Sequence, residues 1–510
     1  MSQAPIVAPP FVVDAHCHTF NASDLSTVGF LTEVVLDSDE SAVRRVVEPL
    51  VVFLVRLIGK APGFQEEIDH LDAMQAETEQ HAKTALVASL AKRRAAVDAR
   101  HWNNVAKELR RISSSSNGQE QALFQAIVDE VHPGGTRAML SAAQVATPAT
   151  VTQRIAFSTG AFSRYIKWVG RLRHFRADII RELIQTYGGE PDGVRLFASA
   201  QLDFELWLRD KPQTSIAQQI ELGERLSLAF PGRVHFFAPF DPWRDSATPA
   251  SSGDALKLVQ QAVMERGFLG VKLYPPMGFA AADNETLDFS AVGQHDSKAF
   301  GRQLDASLDR LFDWALEEDV PIMTHCNFSE ESKHGFAQRA SPAFWADALA
   351  KHSGLRVNLG HFGGQENLGP GGANHAADWP EMIVALMESV NGSRVYTDIG
   401  NFNLHDSARR AAWLATLQTT LAQNPVLASR LMYGSDWLLL ATSDGYEDFL
   451  TQFRTGLRAM STLSAGQIDG ILGGNARDFL GLNPAEKTRE RLETFYDANG
   501  LTRPFWLRLD

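Results

Sequence analysis

The stretch Phe11-Val12-Val13-Asp14-Ala15-His16-Cys17-His18 opens on apolar, largely β-branched residues and closes on two histidines one residue apart. Apolar residues running into polar ones form the pattern of a buried strand that delivers side chains at its C-terminal end. Alternate side chains of a strand share a face, so His16 and His18 point inward together and Cys17 points away. Seven further runs of this kind follow: Arg195–Asp203, Arg233–Asp241, Gly267–Tyr274, Val320–Asn327, Arg356–Gly363, Arg394–Gly400 and Arg430–Trp437. Most are succeeded by helical spacing. Gln303–Glu318 sets Leu304, Leu308, Leu311, Phe312 and Leu316 on one face, and Ser341-Pro342 reads as an N-cap followed by proline at the first helical position. Strand alternating with helix eight times predicts a parallel sheet closed into a (β/α)8 TIM barrel.

The alternation breaks once. Residues 19–194 separate the first run from the second, where one βα unit needs about 30 residues. Glu67–Ala99 and His101–Arg111 are rich in Ala, Glu, Gln, Leu and Lys, and the Ser113–Gly118 segment is a break between helical stretches. The expected organisation is therefore the first strand with its histidine pair in 1–24, a helical insertion in 25–190, the rest of the barrel in 191–482, and a docked tail in 483–510. An insertion in the first βα loop emerges on the C-terminal face, so it is expected to roof the active site. Long helical insertions often serve as dimer surfaces, which makes a homodimer the oligomer to look for.

Composition narrows the partners. The chain has 510 residues, 44% hydrophobic and 21% charged, as in soluble globular enzymes. A formal net charge of −13 argues against nucleic acid or anionic membrane, both of which need a surplus of Lys and Arg, and leaves a small-molecule substrate. Cys17 and Cys326 are too few for a disulfide framework. The N-terminal residues lack a signal-peptide pattern, and Val46–Gly59 is interrupted by Glu48 and Arg56. A cytoplasmic location is the resulting expectation.

The histidine pair gains meaning from its company. His325 ends Pro321-Ile322-Met323-Thr324, His361 ends Val357-Asn358-Leu359-Gly360, and Asp436 ends Met432-Tyr433-Gly434-Ser435. Barrel enzymes place their chemistry at strand C-termini, so these groups converge on one mouth with His16 and His18. Nitrogen ligands suit Zn²⁺, and Mn, Fe or Co would also be accepted. A barrel has no structural need for four imidazoles at one end. The other histidines carry no such pattern: His70, His81, His101, His132 and His174 fall in the insertion, while His235, His295, His352, His375 and His405 lack a partner set. His334 follows His325 closely enough to line the pocket.

With these motifs the chain resembles the amidohydrolase superfamily, and more narrowly its amidohydrolase-2 group. That group includes aminocarboxymuconate-semialdehyde decarboxylase, related aromatic acid decarboxylases, and lactone or amide hydrolases. The resemblance rests on His16-Cys17-His18, on the two later strand-end histidines, on Gly434-Ser435-Asp436-Trp437 and on the closing Ile471–Leu482 segment. It implies His16, His18, His325 and Asp436 as ligands of one divalent metal, with Asp436 also the proton shuttle and His361 the acid/base or electrophilic residue. A binuclear site would instead require a carbamylated Lys272, whose plain ammonium could alternatively hold a substrate carboxylate. Arg244 is a further candidate for carboxylate contact, and strand-end geometry adds Trp207, Arg209, Trp243, Tyr274, Phe328, Asn401 and Trp437. The implied activity is metal-dependent hydrolysis of a C–O or C–N bond by activated water, in a small, carboxylated or cyclic substrate. The alternative is metal-dependent, non-oxidative decarboxylation of an aromatic or unsaturated acid.

Overall fold

A computed structural model of the chain describes residues 11–26, 61–80, 170–189, 192–247, 255–329, 332–333, 335–367, 376–402, 404, 407–441, 443 and 445–509. The chain divides into two compact units, Met1–Thr19 with Ile180–Asp510, and Phe20–Ile179. Most of the expected 25–190 insertion, with His81, His101 and His132, lies outside the described residues, as do His334, His375 and His405.

The first unit is a (β/α)8 barrel. Its strands are β1 (Val12–Cys17), β2 (Val194–Ala200), β3 (Val234–Pro239), β4 (Gly270–Leu273), β5 (Ile322–His325), β6 (Val357–Gly360), β7 (Val395–Asp398) and β8 (Leu431–Met432). They form one sheet in chain order, each pairing parallel to the next. The ring is drawn shut where the Ala15 N–H donates to Tyr433 O at 2.9 Å. Every strand residue is buried, because one face fills the barrel and the other lies under helices.

The helices alternate with these strands: α1 (Ile216–Ala229), α2 (Ala255–Glu265), α3 (Ser297–Glu317), α4 (Ala343–Lys351), α5 (Trp379–Glu388), α6 (Ser407–Gln423), α7 (Phe449–Ala459), α8 (Asn475–Leu480) and α9 (Lys487–Ala498). Local chemistry starts them. Ser215 and Gln218 form a capping box on α1, and the Asp296 side chain accepts from Ala299 N on α3. The buried stripe of α3 runs through Phe300, Leu304, Leu308, Leu311 and Phe312. Helix α4 begins at Ala343, just past the proline expected to open it.

All eight predicted runs contain strands, but β8 is much shorter than the run Arg430–Trp437. The cause is Asp14. Its carboxylate accepts from Ser435 N at 2.9 Å and Ser435 Oγ at 2.5 Å, and Asp436 N bonds His16 O at 2.7 Å. The chain beyond Met432 is thus drawn onto β1 instead of continuing its ladder.

At the opposite, N-terminal end, the segment after α8 closes the barrel floor. Leu492, Phe495 and Tyr496 of α9, with Trp506 and Leu507, join Leu196, Phe237, Leu269 and Met323 in one buried cluster. His235 Nδ1–H donates to Gly267 O at 2.8 Å, and Tyr496 O–H donates to His235 Nε2 at 2.9 Å while accepting Gly232 N–H at 2.7 Å.

The second unit is described in three segments. Asn21 Nδ2 donates to Glu67 Oε1 at 2.9 Å, Arg176 N donates to the same oxygen at 3.0 Å, and the Arg176 guanidinium pairs with Asp24. These buried groups tie residues 20–26, the Phe64–Gln80 helix and residues 170–179 together. Among the described residues, no helix is long and apolar enough to cross a membrane.

Candidate metal centre

Period-2 alternation along β1 sends Asp14, His16 and, just past the strand end, His18 to the barrel interior. The neighbouring groups come from other strand ends. His325 is the last residue of β5, His361 follows β6, Asp398 ends β7, and Asp436 caps the short helix Trp437–Leu440. All are buried. His16, His18 and Asp436 bring ligand-competent atoms within 4.8 Å of one another, and so do His16, His361 and Asp398. His325 lies outside both triads but touches the second, its Nδ1 3.1 Å from His361 Nε2.

Hydrogen-bond partners assign the tautomers. His18 Nδ1–H donates to Ala200 O at 2.8 Å, which leaves Nε2 facing Asp436 Oδ1 at 3.4 Å. His16 Nδ1–H donates to Asp398 Oδ2 at 3.0 Å, so its Nε2 carries the lone pair and accepts from Lys272 Nζ at 3.2 Å. His361 Nδ1–H donates to Gly400 O at 3.0 Å, so its Nε2 accepts the Nδ1–H of His325. The remaining nitrogen of His325, Nε2, takes the Ser329 hydroxyl at 3.1 Å. Asp436 Oδ1 is buried and accepts no hydrogen bond from the described residues. An unsatisfied buried carboxylate oxygen among imidazole lone pairs is costly without a cation. The donor set N, N, O therefore fits a divalent metal.

Electrostatics follow from burial. Desolvation pulls His18 and His325 well below the ordinary histidine range, and lowers His361 to about 4. Burial pushes the Asp436 carboxyl up, against the pull of His361 and Lys272. Burial also works on Asp398, but His16, His361 and Asn358 outweigh it and hold that carboxyl far below the usual range. Asp14 is raised to about 7 by burial, the Ser435 hydrogen bonds opposing.

The backbone is bent to make this cluster. His361, Phe362, Asn401 and Asp436 all adopt positive φ, at 68°, 46°, 62° and 50°. Such conformations cost about 1–3 kcal/mol each and gather where function over-determines the fold. Glycines give the room: a Cβ on Gly434 would lie 2.9 Å from His16 Cβ, and one on Gly400 would lie 2.9 Å from Asp398 Oδ1.

Other expected contacts sort unevenly. The Tyr274 ring lies 4.5 Å from His325, and Lys272 Nζ stands 5.8 Å from it, so both belong to the cluster. The Arg244 guanidinium is held by Asp203 at 2.5 and 2.9 Å and by Glu205 at 2.9 Å. Trp207 donates to Asp241 and packs on Trp243, Arg209 donates to Val292 O, and Phe328 lies against Trp379. Asn401 N bonds Ser435 O, and Trp437 is buried. Asp14, Asn358 and Asp398 were not among the residues singled out from sequence. Asp398 does satisfy the criterion applied to Asp436, a carboxylate closing the apolar run Val395-Tyr396-Thr397.

The family model described as Amidohydrolase, of the amidohydrolase-2 type, matches residues 228–482, half of the chain. No curated protein matches it. Similar solved structures include 4-oxalomesaconate hydratase from Rhodopseudomonas palustris, 15% identical, covering 70% of this chain and 96% of that one with a TM-score of 0.40. An amidohydrolase from Burkholderia multivorans with bound zinc is 16% identical, with coverages of 61% and 91% and a TM-score of 0.38. A 2,6-dihydroxybenzoate decarboxylase is 15% identical, with coverages of 59% and 86% and a TM-score of 0.36.

Proposed function

This chain belongs to the amidohydrolase family of enzymes, and from that membership we propose that it is a metal-dependent hydrolase of a C–O or C–N bond in a small, carboxylated or cyclic substrate. The observation that carries this reading is the buried triad of His16, His18 and Asp436, in which both imidazoles have Nδ1–H tied down and Asp436 Oδ1 has no donor among the described residues. These three residues and His325 would hold one divalent ion, with zinc the first choice for such ligands. When bound, the ion supplies Lewis acidity, polarising a carbonyl and making water acidic at neutral pH.

The chain's own groups handle the protons. Asp436 Oδ1 is the lone pair placed to receive a proton from attacking water, and His361 Nε2 takes part in proton transfer by exchanging the Nδ1–H of His325 for the substrate side. Water adds to the carbonyl carbon, the C–O or C–N bond breaks, and the proton passes to the leaving oxygen or nitrogen, giving an acid and an alcohol or amine. Lys272, buried beside His16, would as an ammonium favour an anionic substrate that pairs with its charge. Residues around it exclude bulk water, which strengthens each of these interactions.

A panel of esters, lactones and amides, run beside CO₂ release from aromatic and muconate-type acids, tests the reading. Turnover on the first panel that chelation abolishes and Zn²⁺ restores is the expected result. Activity confined to CO₂ release would replace hydrolysis with decarboxylation.

A further inference from the structure

Two triads share His16, and each meets the spatial condition for an ion: His16, His18 and Asp436 on one side, His16, His361 and Asp398 on the other. Hydrogen bonding separates them. Asp398 Oδ2 accepts from His16 Nδ1 at 3.0 Å and Asn358 Nδ2 at 2.7 Å, while Oδ1 accepts from Gly400 N at 2.8 Å and His361 N at 3.2 Å. A carboxylate has about four lone-pair sites, so these four N–H donors use its capacity. An ion entering there would have to displace buried donors and leave them unpaired. His16 Nδ1, already a donor, has no lone pair for such an ion. Asp436 differs on the same count, since its Oδ1 accepts nothing among the described residues.

We propose that Asp398 is a positioning residue for the metal centre: its carboxylate fixes His16 in the tautomer that presents Nε2 to a single ion, and fastens the backbone that carries His361. The inference rests on the reading of His16 as a metal ligand. Two features of the chain support it. The histidines His18 and His361 have neutral carbonyls, Ala200 O and Gly400 O, behind their rings, whereas His16 has a charged carboxylate. A carboxylate behind a ligating imidazole orients the ring and raises its basicity more than a neutral carbonyl does. Asp398 also accepts the amide of His361 itself and that of Gly400, whose carbonyl holds the His361 ring. One carboxylate thereby sets both the ligand and its neighbouring acid/base group.

The test compares wild type with Asp398→Asn and Asn358→Ala, the second removing one donor from Asp398 and keeping the charge. Zn²⁺ stoichiometry and affinity are measured by competition with a chromophoric chelator, and metal-free melting curves show that each variant folds. Asp398→Asn is expected to keep one ion per chain and lose about 10–100-fold in affinity, with Asn358→Ala showing a smaller loss in the same direction. In Co²⁺-loaded protein the exchangeable Nδ1–H resonance of His16 should move or vanish in Asp398→Asn, while that of His18 stays. Two ions in wild type falling to one in Asp398→Asn would make Asp398 a ligand and overturn the proposal. So would one tightly held ion with unchanged affinity in both variants, an outcome that leaves the metal reading standing. A wild-type chain that takes up no Zn²⁺ overturns the metal reading and the role of Asp398 with it. Should Asp398→Asn fail to fold, Asn358→Ala decides alone, unchanged affinity overturning the proposal.

Discussion

At the residue scale, the cluster is built from imidazoles whose far nitrogens are already committed. His361 is tied through Nδ1–H to Gly400 O, and its Nε2, which accepts the Nδ1–H of His325, is the ring nitrogen that faces the other imidazoles. His361→Asn should therefore retain the metal, because His16, His18, His325 and Asp436 remain, but lose about 10²–10⁴-fold in turnover. Metal content and turnover measured on one preparation check this, and full activity would refute the role. His18→Ala should instead lose metal and activity together, since it strips one nitrogen from the triad. At this scale the sequence was legible wherever a metal-competent residue closed an apolar run, as with His325 and His361. Asp398 obeys the same rule but makes its meaning only through His16, 382 positions away, and no spacing in the chain encodes that pairing. Asp14 was hidden by its place in the strand, where an inward carboxylate reads as a break in an apolar run.

At the scale of elements, the site depends on how β1 and β8 close the ring. Asp14 holds Ser435, Asp436 N bonds His16 O, and Gly434 passes close to His16 because it has no side chain. Gly434→Ala would push a methyl to 2.9 Å from His16 Cβ, an atom fixed to the β1 backbone. Overpacking of this kind costs about 1–3 kcal/mol. A lowered denaturation midpoint and weaker Zn²⁺ binding are expected, and wild-type values for both would contradict the tight β1–β8 closure. The eight runs were readable because a strand covered on both faces is almost wholly apolar. The short β8 was not, because its ladder ends where Ser435 and Asp436 bond to Asp14 and His16 of β1, a pairing that no spacing within the run encodes.

At the scale of the whole barrel, the floor supplies a pH dependence separate from the mouth. Burial lowers His235 to about 4 from an ordinary value of 6.5, the Gly267 carbonyl opposing. A depressed folded-state value means that unfolded chains bind the proton more readily. The stability contributed by neutral His235 is full above pH 6.5 and is lost as pH falls from 6.5 toward 4, by about 3 kcal/mol at most. The structural reason is that protonation turns Nε2 into a donor facing the Tyr496 hydroxyl, breaking the link between β3 and α9. His235→Gln should flatten this acid limb in the difference between variant and wild-type unfolding curves. A parallel offset with no change in slope would show that His235 does not titrate in this window. The alternation of strands and helices made the barrel legible at this scale, while the floor was readable only as a tail.

The most direct measurement on the metal centre is an anomalous difference map from crystals of Zn²⁺-loaded protein, recorded at the zinc edge. One peak per chain is expected, bounded by His16 Nε2, His18 Nε2 and Asp436, with His325 beside it. No peak at the barrel mouth, a peak at Asp398, or a second peak at a modified Lys272 would contradict a single ion held by these ligands.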